Sequence, residues 1–528
     1  MHPVNNRFVT PDALTRTVQG FLSEAGGAVV LEDGAVAFDL SQSKYSISGE
    51  YNKCLLHLWS AERNTVRRVL DAEVRNGILR LAVQRLGQSR PTKLEICRER
   101  DRRSPSAKSA CRAAYAQKLR RALDRHFPGF TVVRLTVNAD LEKSFGPIYA
   151  RGLLRKGQSA FAVLGVNAQE TQASIDASLS FGILWLNACR ESQAGKALVE
   201  GLLLFVPKGC SSLVRERMAN LNHTAAKWTL FEFDERHDAV VELDCSDRGN
   251  LATRLVHACN EAATLDRFAD SITKIRAILP NCEVAVLSPA ELSFRWRGLE
   301  FARARIGAEV STFQTRQEIL FGVGAEERVL EDRNFRFFLE LLTALRDIRH
   351  PYGPRQHSLF RMHSERWLES LVVSDVSVID ERLEPGTLYS QVPAFTAADR
   401  AMLDVLTVTR EGRLAVIELK ADEDIHLPLQ GLDYWSRVQW HRARDEFPRF
   451  GYFPGRTLAS DPPLLFLVAP ALHVHPALDT LLRYISPEVS WEFIGIDERW
   501  REGVKVVFRK RPSRGPQLGT ERSVAAAS

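Results

Sequence analysis

Residues 413–430 read RLAVIELKADEDIHLPLQ, and the reading of the C-terminal third turns on them. Leu414 to Ile417 is a short aliphatic, β-branched run that predicts a strand and carries straight into Glu418, Leu419 and Lys420. Alternate residues of a strand face the same side. Glu418 and Lys420 therefore point together and Leu419 points away into a core. A carboxylate and an ammonium at the end of a buried strand cost desolvation energy, and such a pair persists where it coordinates a metal, positions a water or neutralises a neighbour. Fourteen residues before Glu418 lies Asp404, in AMLDVLTVTREGR. Residues 402–408 read as a strand and Glu411-Gly412 as the turn into the next, so a hairpin brings Asp404 toward Glu418. Two converging carboxylates beside a lysine suit a hard divalent cation held through oxygen and a water nucleophile activated next to it.

The flanking segments add two helices. In HSERWLESLV, Glu365, Leu368, Leu371 and Val372 share helical spacing, with Ser364 placed as N-cap and Glu369 one turn beyond Glu365. In LPLQGLDYWSRVQWH, Gln430 and Tyr434 lie four apart on one helix face, behind Pro428 as a helix starter. The ordered set of a helix with Glu365, a strand with Asp404, a strand with Glu418-Leu419-Lys420 and a helix with Gln430 and Tyr434 resembles the PD-(D/E)xK nuclease superfamily. The closest flavour is the branch with an ExxL helix and a QxxxY helix, similar to RecB-type and NucS-like nuclease domains. The resemblance covers residues 364–509. The residue before Asp404 is Leu403, where the superfamily pattern has proline.

The resemblance implies a restriction-endonuclease-like mixed sheet flanked by helices and a Mg²⁺- or Mn²⁺-dependent hydrolase of nucleic-acid phosphodiesters, DNA in the first instance. It implies that Asp404, Glu418 and the backbone carbonyl of Leu419 ligate the ion. Glu365 would complete the metal shell, Lys420 would orient or deprotonate the water or stabilise charge on the phosphate, and Gln430 would position the Lys420 end or a phosphate oxygen. Tyr434 would be accessory, packing beneath the site or touching nucleic acid. The competing reading is a catalytically inactive nuclease-fold protein that binds nucleic acid or serves as a scaffold.

Composition sets wider bounds. With 528 residues, 45% hydrophobic and 26% charged, the chain is expected to be a soluble, cytoplasmic, multidomain α/β protein. A net charge of +6 permits a nucleic-acid partner without arguing for one. The eight cysteines all precede residue 283 and show no CxxC or zinc-ligand spacing, so they read as reduced thiols. The start, MHPVNNRFVTPDALTRTV, lacks the apolar stretch of a signal peptide, and no apolar run approaches a membrane span.

In chain order, residues 1–89 read as a β-rich domain, with strands at 28–40 around Glu32-Asp33-Gly34, at 53–59, and at 69–74 and 78–83 around the Asn76-Gly77 hairpin signal. Residues 90–290 read as a basic helix followed by an α/β central domain. Between residues 90 and 125 there are twelve Lys/Arg against four Asp/Glu. Arg112, Lys118, Arg120 and Arg121 are candidate phosphate contacts there, set against the plainer reading of a solvated helix face and a loop around 102–105. Strands are expected at 131–137, 160–166, 182–187, 201–206, 228–233 and 284–287. No E-x-K, P-loop or Rossmann glycine pattern marks this region, and no residue-level repeat stands out in the chain. Residues 291–355 read as a helical connector with a helix at 334–350, residues 355–362 as linker, 356–510 as the nuclease-like domain and 511–528 as a disordered tail.

Overall fold

The computed structural model describes residues 10–512 apart from 25–27, 33–34, 41–42, 50–52, 60–63, 76, 86–90, 99–104, 141–144, 249–250, 309–314, 325–326 and 394–401. The expectations for the extreme N-terminus, for Asp33-Gly34, Asn76, residues 102–104 and the tail from 513 on lie outside the described residues. The chain divides into two compact units, Met1–Val214 with Lys227–Asp244 and Arg215–Ala226 with Cys245–Ser528. Both are mixed α/β. No helix among the described residues is long and apolar enough to cross a membrane, and all eight cysteines are free.

The first unit opens with a helix that composition alone did not announce, α1 (Pro11–Glu24). It buries Leu14, Val18, Phe21 and Leu22, an apolar stripe at helical spacing. This stripe covers an antiparallel seven-stranded sheet made of β1 (Val29–Glu32), β2 (Ala35–Asp39), β3 (Lys44–Ser48), β4 (Cys54–Trp59), β5 (Asn64–Arg75), β6 (Ile78–Arg85) and β7 (Thr92–Cys97), in the order β2-β1-β7-β6-β5-β4-β3. In β4, Cys54, Leu56 and Leu58 are buried while their neighbours are half-exposed, the period-two alternation of a sheet with one covered face. The sheet runs past the expected boundary at residue 89, because Leu94 and Ile96 of β7 belong to the same core.

A second sheet follows, its strands in the same unit and residues 215–226 of its last crossover counted with the second unit. Helix α2 (Pro105–His126) leads into β8 (Thr131–Thr136), β9 (Ala150–Lys156) and β10 (Ser159–Gly165), then α3 (Gln172–Asp176) and α4 (Ser178–Gln193) cross to β11 (Leu198–Pro207), α5 (Ser212–Ala219) to β12 (Lys227–Asp234), and β13 (Ala239–Leu243) ends it. The strand order is β13-β12-β11-β10-β9-β8. The strand expected at 182–187 is instead the middle of α4. An apolar run such as Gly182-Ile-Leu-Trp-Leu is compatible with either element, and here it is buried between strands β10 and β11 and the rest of its layer.

The second unit contains α6 (Glu261–Arg267), α7 (Ala269–Ile278) and a five-stranded antiparallel sheet of β14 (Glu283–Ser288), β15 (Glu291–Trp296), β16 (Leu299–Ala308), β17 (Thr315–Phe321) and β18 (Arg328–Val329). The helical connector expected at 291–355 is therefore wrong over its first half. Leu292 and Phe294 of β15, and Leu299 and Phe301 of β16, alternate into one core with Phe338, Leu342 and Leu345 of helix α8 (Phe335–Ile348). Arg297 and Gly298, with φ of 49° and 73°, make the tight turn between β15 and β16. Residues 355–362 are not a plain linker either, since α9 (Ser358–Arg361) buries Phe360. Arg349 is fully buried and donates to the carbonyls of Trp296, Arg297, Leu359 and Met362, tying the strand turn to α9.

The last sheet carries the segments first considered. Helix α10 (Ser364–Ser374) precedes β19 (Leu383–Pro393), β20 (Met402–Thr409) and β21 (Leu414–Leu419); α11 (Leu427–Ala443) and α12 (Glu446–Arg449) cross to β22 (Leu464–Pro470), α13 (Leu478–Arg483) to β23 (Ser490–Ile496), and β24 (Val506–Lys510) closes the edge. The order is β19-β20-β21-β22-β23-β24, with β21, β22 and β23 mutually parallel and the other pairs antiparallel. Every residue of β21 and β22 is buried, as expected for parallel strands covered on both faces.

Candidate functional site

β21 is a central strand, so Glu418 and Lys420 are not an exposed edge-strand ion pair. Glu418 is 3% exposed and Lys420 9%. The β20–β21 register pairs Val405 with Ile417, and one step further Asp404 falls opposite Glu418. The hairpin is closed by the Glu411-Gly412 turn, where Gly412 has φ of 86° and a Cβ would lie 2.4 Å from the carbonyl of Thr457. The Leu419 side chain packs in the core beneath α10 with Trp367, Leu368 and Val372, while its backbone N–H donates to Asp404 Oδ2 at 2.9 Å. Lys420 Nζ donates to Glu418 Oε1 at 3.2 Å and lies 3.8 Å from Glu365 Oε1. Glu418 Oε2 has no hydrogen-bond partner although it is buried, and neither has Gln430 Oε1.

Helix α11 reaches the strand because of one residue. A Cβ at Gly431 would stand 2.4 Å from Leu467 Cδ2 and 3.7 Å from Glu418 Cβ, so only glycine lets the helix lie this close to β21 and β22. Gln430 and Tyr434 flank that contact, and Pro428 sits in the first turn. On the other side, α10 begins after His363, which has a left-handed φ of 48°. Ser364 is the first helical residue, not the N-cap, and its hydroxyl donates to the Arg361 carbonyl at 3.0 Å.

The electrostatics follow from burial. Burial raises the Asp404 carboxyl to about 6, with the negative charge of Glu369 adding to it and the Leu419 N–H and Lys420 opposing it. Burial, reinforced by Asp404, pushes Glu418 well above the usual carboxylate range. For Lys420 burial acts downward, but the carboxylates of Glu418, Glu365 and Asp404 outweigh it and hold the ammonium above its ordinary value. Burial, with the charges of Glu418, Asp404 and Asp433, also raises the Tyr434 hydroxyl. Two carboxylates destabilised as anions, one with an orphan oxygen, are a site short of positive charge.

A cavity of about 430 Å³ opens on Asp404, lined also by Glu365, Glu369, Arg366, Arg361 and His363. Glu369 is buried and held by Arg366 Nη1 at 2.6 Å. Thus α10 brings two acids rather than one: Glu369 acts on Asp404, while the half-exposed Glu365 stands at Lys420. Arg361, His363 and Arg366 were not singled out from sequence. The signal was present only in HSERWLES, where Arg366 and Glu369 sit three apart on the helix. Among the described residues, no group of three or more His, Cys, Asp or Glu side chains is placed to hold a metal ion. A cation here would rest on Asp404, Glu418 and the Leu419 carbonyl, with water and substrate oxygens filling the remaining positions.

Three of the six Lys/Arg of the basic helix are otherwise engaged. Arg112 pairs with Glu170 at 2.7 Å where both are largely buried, Lys118 donates to the Glu235 carbonyl at 3.1 Å, and Arg125 pairs with Asp238 at 2.5 Å. Arg120 and Arg121 stay exposed. Compared with protein-family models, curated proteins and solved structures, the chain finds no match.

Proposed function

We propose that the C-terminal sheet carries a divalent-metal-dependent nuclease that hydrolyses phosphodiester bonds of nucleic acid, with DNA the substrate to test first. The observation that supports it is the buried pair Asp404 and Glu418 on adjacent central strands, with Lys420 at 3.2 Å from Glu418 and a cavity that opens on Asp404. The order α10, β19, β20, β21, α11, β22 is also the order that the PD-(D/E)xK resemblance requires. Asp404, Glu418 and the Leu419 carbonyl would hold Mg²⁺ or Mn²⁺, whose chemistry is to polarise the phosphate and acidify a bound water.

The chain's own groups have definable tasks. Lys420, 3.2 Å from Glu418, orients or deprotonates the water or stabilises charge on the phosphate oxygens. Arg361 lines the approach as a cation for the phosphate, while Arg366 is committed to Glu369 at 2.6 Å. Gln430, with a free buried carbonyl oxygen beside the Gly431 contact, orients the Lys420 end of the site or a water. Plasmid cleavage with Mg²⁺ or Mn²⁺ tests this reading. Wild type should cut, and Asp404→Asn, Glu418→Gln and Lys420→Met should each abolish cutting while keeping the folded circular-dichroism spectrum. A wild-type chain that cuts no single- or double-stranded DNA or RNA with either metal refutes it.

A further inference from the structure

The central and C-terminal sheets have one topology. Read from β8 and from β19, each runs antiparallel, antiparallel, parallel, parallel, antiparallel, with a helix before the first strand and crossover helices after the third and fourth. The agreement extends to details. The residue after the third strand donates to the neighbouring parallel strand in both, Val166 to Phe205 and Lys420 to Val468. The long crossover helices α4 and α11 each have glycine as fifth residue, Gly182 and Gly431. A Cβ there would meet leucines of the fourth strand: Leu202 at 2.7 Å for Gly182, and Leu467 at 2.4 Å with Leu465, the register equivalent of Leu202, at 3.2 Å for Gly431.

Strand registers then give residue equivalences. Leu419 pairs with Val468 and Gly165 with Phe205, so Leu164 stands where Glu418 does and Val166 where Lys420 does. Arg151 is opposite Leu164, the place of Asp404. Through the helix glycines, Trp185 stands at the place of Tyr434. Arg151 is 1% exposed, with its guanidinium 4.7 Å from the Phe145 ring and 5.6 Å from the Trp185 ring. It donates to the Asn138 carbonyl, and its Nε and Nη1 have no hydrogen-bond partner.

We propose that the central domain is a second copy of the C-terminal fold with its site inverted in charge: Arg151 puts a buried cation where the C-terminal copy has a carboxylate, so the central copy holds no divalent ion and cuts nothing. All ion binding and all cleavage then belong to Asp404 and Glu418. The topological match stands by itself, and the statement about cleavage rests on the nuclease reading above. At the three matched positions a guanidinium and two apolar side chains offer no oxygen ligand, and the one acid acting most strongly on Arg151, Asp140, meets a positive charge that repels a divalent ion.

The test counts tight, saturable Mn²⁺ on the full-length chain by electron paramagnetic resonance and follows plasmid cleavage. In Glu418→Gln the tight Mn²⁺ and the cutting should both fall to none. Tight Mn²⁺ or metal-dependent cutting that survives in Glu418→Gln overturns the proposal. If wild type itself binds no Mn²⁺ and cuts nothing, the nuclease reading fails while an ion-free central copy is upheld. The paired variant Arg151→Asp with Leu164→Glu sharpens the equivalence: it should add bound Mn²⁺ to the wild-type count. A folded double variant that gains none overturns the residue matching, and if it does not fold the count on Glu418→Gln decides.

Discussion

Two six-stranded sheets in this chain share strand order, direction and crossover helices, yet differ in what lies at the end of their third strand. One has Asp404, Glu418 and Lys420; the other has Arg151, Leu164 and Val166. The backbone is indifferent to this exchange. Leu164 is wholly buried and Glu418 nearly so, which shows that the position is interior by topology and not because its residue prefers it. A leucine there is stabilising. A glutamate there is costly, and a protein that keeps one has a use for it. The difference teaches that the acids are not a by-product of the fold.

The largest expected effect lies on the chemistry. Glu418→Gln or Lys420→Met should lower cleavage by about a thousandfold or more, the size seen when a charged group is removed from a preorganised site, whereas Leu164→Met in the central copy should leave the rate within about twofold, since a volume-conserving core exchange perturbs little. Plasmid nicking rates measure both. Equal losses in the two copies would break the comparison.

The second effect is on stability and has a definite sign. Asp404 binds its proton more tightly when folded, at about 6 against 3.8. In metal-free buffer this group's stabilising effect is therefore present below about pH 4, declines as pH rises to about 6 and is lost above it. Asp404→Asn should raise the stability of the metal-free chain at pH 7.5 by about 3 kcal/mol and remove that part of the slope between pH 4 and 6. Urea melts at several pH values measure it; a variant less stable than wild type at pH 7.5 contradicts the charge-deficient site. Mg²⁺ should stabilise wild type and not Asp404→Asn.

The two helix glycines come next. Gly182→Ala and Gly431→Ala should each cost about 1–3 kcal/mol by overpacking against leucine, read from denaturation midpoints. Cleavage per folded molecule should fall only for Gly431→Ala, because only that helix carries Gln430 and Tyr434. The smallest effect belongs to Arg120 and Arg121. Replacing both with Ser should lower the salt slope of DNA binding by at most about two, and an unchanged slope assigns them to a plain solvated face.

The sequence made the C-terminal site readable because its parts lie in order along the chain. Asp404, Glu418-Leu-Lys420, Gln430 and Glu365 each fall on the kind of element their neighbours predict. The partition of labour on α10 was not readable, since Glu365 and Glu369 are both acids on a helix and only packing places one at Lys420 and the other near Asp404. The five-stranded sheet was missed because β15 and β16 carry charged residues between their core residues, as in Glu-Leu-Ser-Phe-Arg-Trp. α4 was misread because its middle is apolar all round. The doubled topology left no trace at residue level. The matched positions at the end of the second and third strands share no side chain, and what the two copies share is register, two helix glycines and the fourth-strand leucines Leu202/Leu465 and Leu204/Leu467.

Arg349 has a consequence for how the acid-bearing helix is held. Pro351-Tyr352-Gly353-Pro354 looks like a joint in the sequence, but one guanidinium clamps carbonyls on both sides of it. Gly298 is pressed against the same helix, where a Cβ would stand 1.9 Å from the Arg366 carbonyl. The small sheet therefore works as a buttress: a side chain at the tip of one hairpin would push on the backbone of the helix that carries Glu365 and Glu369.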